Sequence, residues 1–127
     1  MKILVVDDDP STLLVASIAL QYAGGYEVLL ANSGAAAIEC AKENQPDAIL
    51  MDIVMNDLDG LAVLKRLRSH AETGSIPVIF HTARTNPTEI RSLLSSGAKG
   101  VIGKPSDPLE LGNEIKRILA LSGESQN

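Results

Sequence analysis

The sequence predicts an α/β fold in which five strand–helix units, (βα)5, form an open, doubly wound parallel sheet. Three observations carry this expectation. Short apolar runs rich in Val and Ile recur five times with little polar alternation, as in strands covered on both faces. Longer segments between them begin at Asx-Pro pairs or other capping residues and end near Gly or Asn. Consecutive units of this kind, with right-handed crossovers, build a single parallel sheet.

The elements follow in order. Lys2 to Asp7, "KILVVD", reads as the first strand. Asp9-Pro10 opens the first helix, with the carboxylate capping free N–H groups and proline at the first helical position. Gly24-Gly25 ends it before a second strand, Tyr26 to Ala31. Ser33 caps the second helix, and Asn44 before Pro46 is its expected left-handed end. Asp47 to Asp52, "DAILMD", is the third strand. Asp59 caps a third helix with Leu61, Leu64 and Leu67 on one face, ending by Gly74. Ile76 to His81, "IPVIFH", forms the fourth strand, and Asn86-Pro87 opens a helix carrying Ile90, Leu93 and Leu94 up to Gly97. Lys99 to Gly103 is the fifth strand. Asp107-Pro108 opens the last helix, with Leu111, Ile115, Ile118 and Leu119 inward. One domain thus spans residues 1–121, and "SGESQN" (122–127) reads as a polar tail.

Composition narrows the function classes. A chain of 127 residues, 45% apolar and 21% charged, suits one globular domain. Its net charge of −5 argues against direct nucleic-acid binding, which relies on clustered Lys and Arg. The single Cys40 precludes an internal disulfide and fits a reducing compartment. Its Ala-rich surroundings predict a small buried apolar residue. "MKILVVDDD" lacks the longer apolar stretch of a signal peptide, and no run is long enough to span a bilayer. The expectation is a cytoplasmic protein with no membrane partner.

Ligands of doubly wound sheets bind beyond the carboxyl ends of the strands. The first strand delivers Asp7 and Asp8 there, the third Asp52, the fourth Thr82 and the fifth Lys104. Singly, each has a bland reading, and Asp9 is expected only as a cap. Five at one sheet edge are not coincidence. Grouped carboxylates favour a hard divalent cation such as Mg2+, whose charge offsets their repulsion. Mg2+ beside an ammonium and a hydroxyl also suits a transferring phosphoryl group, for which a carboxylate can be the nucleophile.

Other phosphate-binding chemistry finds no support. The sequence has neither G-x-G-x-x-G after the first strand nor G-x-x-x-x-G-K-[ST]. A flavin-phosphate site needs donors where Asp7, Asp8 and Asp9 stand. "MDIV" also lacks the second Asp used by aspartate-based phosphatases.

Taken together, "ILVVDDDP", "PDAILMDIVMNDLDG", "PVIFHTA" and "GKPSDPLEL" resemble the receiver domain of bacterial two-component response regulators, over nearly the whole chain to Leu121. The resemblance implies a flavodoxin-like fold with a five-stranded parallel sheet in order 2-1-3-4-5. It implies Asp52 as phosphoacceptor from a phosphohistidine. It also implies Mg2+ bound by Asp8, Asp52 and the Val54 backbone carbonyl, with Asp7 acting through a water. Lys104 and Thr82 would meet the phosphoryl oxygens, and Lys104-Pro105 resembles the family's cis peptide bond.

Departures accompany the likeness. Met55-Asn56 stands where the family has Met-Pro, Val101 where it commonly has Tyr or Phe, and Ser106 where Phe is frequent. His81, beside Thr82, is expected as a packed, hydrogen-bonded core histidine, and His70 as a solvated one. Val54 and Arg84, two residues beyond Asp52 and Thr82, are expected to tune hydrolysis of the acyl phosphate.

The implied function is a phosphorylation-switched receiver, not an enzyme with a released substrate; it catalyses only its own phosphorylation and dephosphorylation. Its partners would be a histidine kinase or phosphotransfer protein and a downstream target or output domain, with a second copy of the chain as a further candidate. The alternatives are a phosphorylation-independent interaction module and a small phosphoester hydrolase. Labelling of Asp52 by acetyl phosphate separates the first reading from the second, and turnover of an external phosphoester would support the third.

Overall fold

The computed structural model describes residues 1–124. The apolar runs form β1 (Lys2–Val6), β2 (Glu27–Ala31), β3 (Ala48–Met51), β4 (Val78–Thr82) and β5 (Gly100–Gly103). All pair in parallel, in the order β2-β1-β3-β4-β5. The helices are α1 (Pro10–Ile18), α2 (Gly34–Asn44), α3 (Gly60–Arg68), α4 (Pro87–Ser95) and α5 (Leu111–Glu124). This is the expected doubly wound, flavodoxin-like architecture.

Successive strand residues fill opposite layers. Ile3, Val5, Leu50 and Ile79 pack against Leu13 and Ala16 of α1 and Leu111 and Ile115 of α5. Leu4, Val6, Met51 and Phe80 pack on the other side, against Ala37 and Ala41 of α2 and Val63, Leu64 and Leu67 of α3. Both strand faces meet helices, so neither needs polar residues. Each fully buried Leu, Ile or Phe contributes roughly 1.5–3 kcal/mol.

Four predicted caps are in place. Asp9 accepts from the Ser11 N–H, Ser33 from Ala36, Asp59 from Ala62 and Asn86 from Glu89. Other boundaries differ from expectation. The left-handed end of α2 is Gln45, with φ 48°, because Asn44 remains helical and turns its amide onto the Cys40 carbonyl. Cys40 is half-buried rather than fully buried, with the Asn44 amide 3.4 Å from its sulfur. Helix α3 stops at Arg68, well before Gly74: Thr73 Oγ1 donates to the Leu67 carbonyl and satisfies the last turn. Leu61 is partly exposed, and Val63 takes the core position instead.

The first helix widens into a π-helical turn over Ala19–Ala23, where the Leu20 carbonyl accepts the Tyr26 N–H. Asp107 begins a turn rather than the helix itself. Its carbonyl accepts from both Glu110 and Leu111, where α5 starts. Helix α5 continues through Glu124, past the expected boundary at Leu121, and the rest of the expected tail (125–127) lies outside the described residues.

Candidate functional site

Three site residues stand one position beyond a strand, and their backbones extend the sheet. The Asp7 N–H donates to Ala31 O at 3.2 Å, Asp52 to Val6 O at 3.0 Å and Lys104 to Thr82 O at 2.8 Å. The side chains therefore leave a rigid edge rather than a loose loop.

Asp7, Asp8 and Asp52 each bring a carboxylate oxygen within 4.8 Å of the others. At such separations and an effective dielectric of about 20, each like-charged pair costs on the order of 3–4 kcal/mol. Lys104 offsets part of this. Its Nζ donates to Asp7 Oδ2 at 2.7 Å and lies 3.4 Å from Asp52 Oδ2. Burial works to lower the Lys104 pKa, but the Asp7 hydrogen bond and the charges of Asp7 and Asp52 outweigh it and raise it. Lys104 is a cation at neutral pH.

The three acids are not equivalent. Asp7 is 2% exposed, with Oδ1 accepting the Asp9 N–H and Oδ2 the lysine. Asp52 is half-buried, and its Oδ1 accepts the N–H of Ile53. Asp8 is also half-buried, and among the described residues no hydrogen-bond donor reaches its carboxylate. Carboxylates with unused lone pairs, held this close together, fit a hard cation that keeps several waters.

Thr82 is buried at the end of β4, and its hydroxyl oxygen accepts the Arg84 N–H at 3.0 Å. Arg84 and Val54 are both exposed, on the segments that follow Thr82 and Asp52. The Lys104–Pro105 bond is cis, as the resemblance implied.

His81 is buried, with Nε2 3.0 Å from Ser106 Oγ. Burial, and then the positive charge of Lys104, push its pKa down to about 4, partly opposed by Asp7. It is the neutral, hydrogen-bonded core histidine expected. His70 is half-buried rather than simply solvated. Beside His81 lies a groove of about 430 Å³ between α1 and the β5–α5 connection, where Val15, Ala16, Pro105 and Leu111 face Lys104.

Two contributors escaped the sequence reading. Ser106 anchors the Lys104–Pro105 segment to His81. Asp57 receives the N–H groups of Gly34 and Ala35 at 2.9 and 3.0 Å. These backbone bonds lower its pKa to about 2. A cap from a residue 23 positions away leaves no local pattern, and Ser33 already supplied the cap expected for α2.

Comparison with known proteins agrees with this geometry. Residues 3–116 match the response regulator receiver domain family. The chain is 35% identical over 119 residues to Protein PilH of Pseudomonas aeruginosa, covering 94% of this chain and 98% of PilH. It is 34% identical over 118 residues to the DNA-binding response regulator MtrA of Mycolicibacterium smegmatis, covering 93% of this chain but 50% of MtrA. It thus spans about half the length of several curated relatives. Chemotaxis response regulator CheY4 of Vibrio cholerae superposes with a TM-score of 0.85 at 32% identity, covering 92% of this chain and 97% of CheY4. The match runs through every strand that supplies the acidic edge, and the chain belongs to the response regulator receiver domain family.

Proposed function

We propose that this domain accepts a phosphoryl group on Asp52 from a phosphohistidine and uses it to switch a protein-binding surface. One observation carries the reading. Three carboxylates and one ammonium meet at the sheet edge, with Lys104 on both Asp7 and Asp52 and, among the described residues, no donor on Asp8. In the transfer, an Asp52 oxygen forms the bond to phosphorus as the imidazole N–P bond breaks. The leaving imidazole takes up a proton.

Asp8, Asp52 and the Val54 carbonyl, with Asp7 acting through a water, would hold Mg2+, which when bound would supply positive charge to the transferring oxygens. Lys104 pairs with a phosphoryl oxygen. The Thr82 hydroxyl leaves the Arg84 N–H to meet another, carrying the start of the β4–α4 segment with it. Val101 is half-buried and branched at Cβ, so the switch resides at Thr82, Ala83 and the start of α4 rather than in an aromatic rotamer.

The phosphodonor must reach Asp52 from the open side of the site. Val15, Ile18 and Tyr22 of the first helical segment and Leu109 beside α5 are exposed apolar residues lining adjoining grooves that share Val15, Ala19 and Pro108, one of which reaches Lys104. Such a patch suits a protein partner, a histidine kinase or phosphotransfer protein. Direct nucleic-acid binding is not part of this reading, given the net charge of −5. Any DNA contact, as the name of MtrA states for that relative, would belong to an output partner or domain. Among the described residues no helix is long and apolar enough to cross a membrane, and the proposed setting is the cytoplasm, where phosphohistidine donors act.

Mass spectrometry after treatment with acetyl phosphate and Mg2+ tests the assignment. Wild type should gain one phosphoryl group on Asp52, and Asp52→Asn none. A labelled Asp52→Asn protein would place the acceptor elsewhere. Unlabelled wild type would favour the phosphorylation-independent interaction module.

A further inference from the structure

The segment from Asp52 to Gly60 bears the acceptor and the Val54 carbonyl, yet no proline stiffens it. Its inner end is closed tightly. The Gly60 N–H donates to Ile53 O at 2.6 Å, and a Cβ on Gly60 would meet Asp52 O at 2.6 Å. Its outer part is exposed at Val54, Asn56, Asp57 and Asp59. A chain this exposed stays ordered only if contacts offset its conformational entropy, on the order of 1–2 kcal/mol per residue.

Asp57 supplies such a contact. Both of its oxygens accept N–H groups at the start of α2, from Gly34 and Ala35, and the adjacent helix dipole favours the negative charge. The helix is brought close enough by a glycine: a Cβ on Gly34 would meet Leu58 Cβ and Val63 Cγ2, each at 2.8 Å. Ser33 caps the same helix at Ala36, and among the described residues its side chain makes no hydrogen bond to this segment. Helix α2 therefore has two caps, and only one of them reaches the loop carrying the site.

We propose that Asp57 is a positioning residue for the phosphorylation site. It clamps the segment after β3 to α2 and thereby holds the Val54 carbonyl and Asp52 in place for the cation and the phosphoryl group. The proposal rests on the reading of the site above. Partners that orient metal ligands typically affect affinity by about 10–100-fold.

The experiment compares wild type with Asp57→Ala, Asp57→Asn and Ser33→Ala. It measures Mg2+ affinity by amide-shift titration, the rate of labelling by acetyl phosphate, melting temperature, and hydrogen exchange at the Gly60 amide. Asp57→Ala should weaken Mg2+ binding about tenfold, slow labelling and speed Gly60 exchange. Asp57→Asn keeps one acceptor and should fall between wild type and Asp57→Ala; equal losses in both variants would mean that charge alone acts, overturning the clamp. Ser33→Ala should lower the melting temperature while leaving affinity, labelling and Gly60 exchange unchanged. Equal impairment by Ser33→Ala would reduce Asp57 to a helix cap and overturn the proposal, as would wild-type affinity and exchange in Asp57→Ala. If wild type takes up neither Mg2+ nor phosphate, the reading of the site fails, and Gly60 exchange alone then decides the clamp.

Discussion

Lys104 Nζ donates to Asp7 Oδ2 at 2.7 Å across 97 positions of sequence, joining the ends of β5 and β1 over the intervening strands. Asp7 is buried, so removing the ammonium leaves a charged acceptor in a poorly hydrated place. Lys104→Met should lower stability at pH 7 by roughly 1.5–3 kcal/mol, the range for hydrogen bonds to charged groups. Urea unfolding measures it. Because the folded pKa of Lys104 is raised, the wild-type contribution is complete below the unfolded value of 10.5 and is lost as pH rises through the folded one. Unchanged stability in Lys104→Met would mean that the pair contributes nothing.

Asp8 adds repulsion, and among the described residues no donor offsets it. Asp8→Ala should therefore raise the melting temperature in chelator, whereas wild type should melt higher in millimolar Mg2+, since a ligand bound only by the native state stabilises it. The variant should largely lose the Mg2+ response. Calorimetric scans with EDTA and with Mg2+ give both comparisons, and a wild type indifferent to Mg2+ would count heavily against a metal site.

His81 makes the fold acid-sensitive in a defined window. Its pKa is about 4 when folded and 6.5 when unfolded, so the unfolded state binds the extra proton first. Stability is complete above pH 6.5 and falls as pH drops toward 4, by on the order of 3 kcal/mol. Replacing His81 with Gln, which can still bond Ser106, should flatten that part of the stability–pH curve relative to wild type. Parallel curves for the two proteins would show that the histidine is not the sensor.

Hydrolysis of the acyl phosphate should be slow. Water must approach opposite the Asp52 oxygen that leaves, past exposed Val54 and Arg84. Val54 offers no hydrogen bond, and Arg84 is always charged and cannot act as a base. Water is left unoriented, a principal source of acceleration forgone. Phosphate half-lives in Val54→Asn, Arg84→Glu and the double variant should be shorter than in wild type; four equal half-lives would remove the shielding argument.

The strands, their parallel arrangement and the acidic edge were legible in the sequence because local rules determine them. Runs such as "ILVV" have no polar alternation when helices cover both faces, and Asp9, Ser33, Asp59 and Asn86 cap helices within three residues of their own positions. The convergence of Asp7, Asp8, Asp52, Thr82 and Lys104 on one edge followed from strand ends and crossover handedness. Tertiary structure decided what depends on meetings between distant segments. It set Lys104 on Asp7 and Asp52, paired His81 with Ser106 and turned Asp57 onto α2. It also ended α3 early through Thr73 and widened the first helix at Ala19–Ala23. Those outcomes rest on backbone groups that any residue carries and on side chains whose partners lie in another element. Residue types restrict such pairings, but only the assembled sheet brings the two sides together.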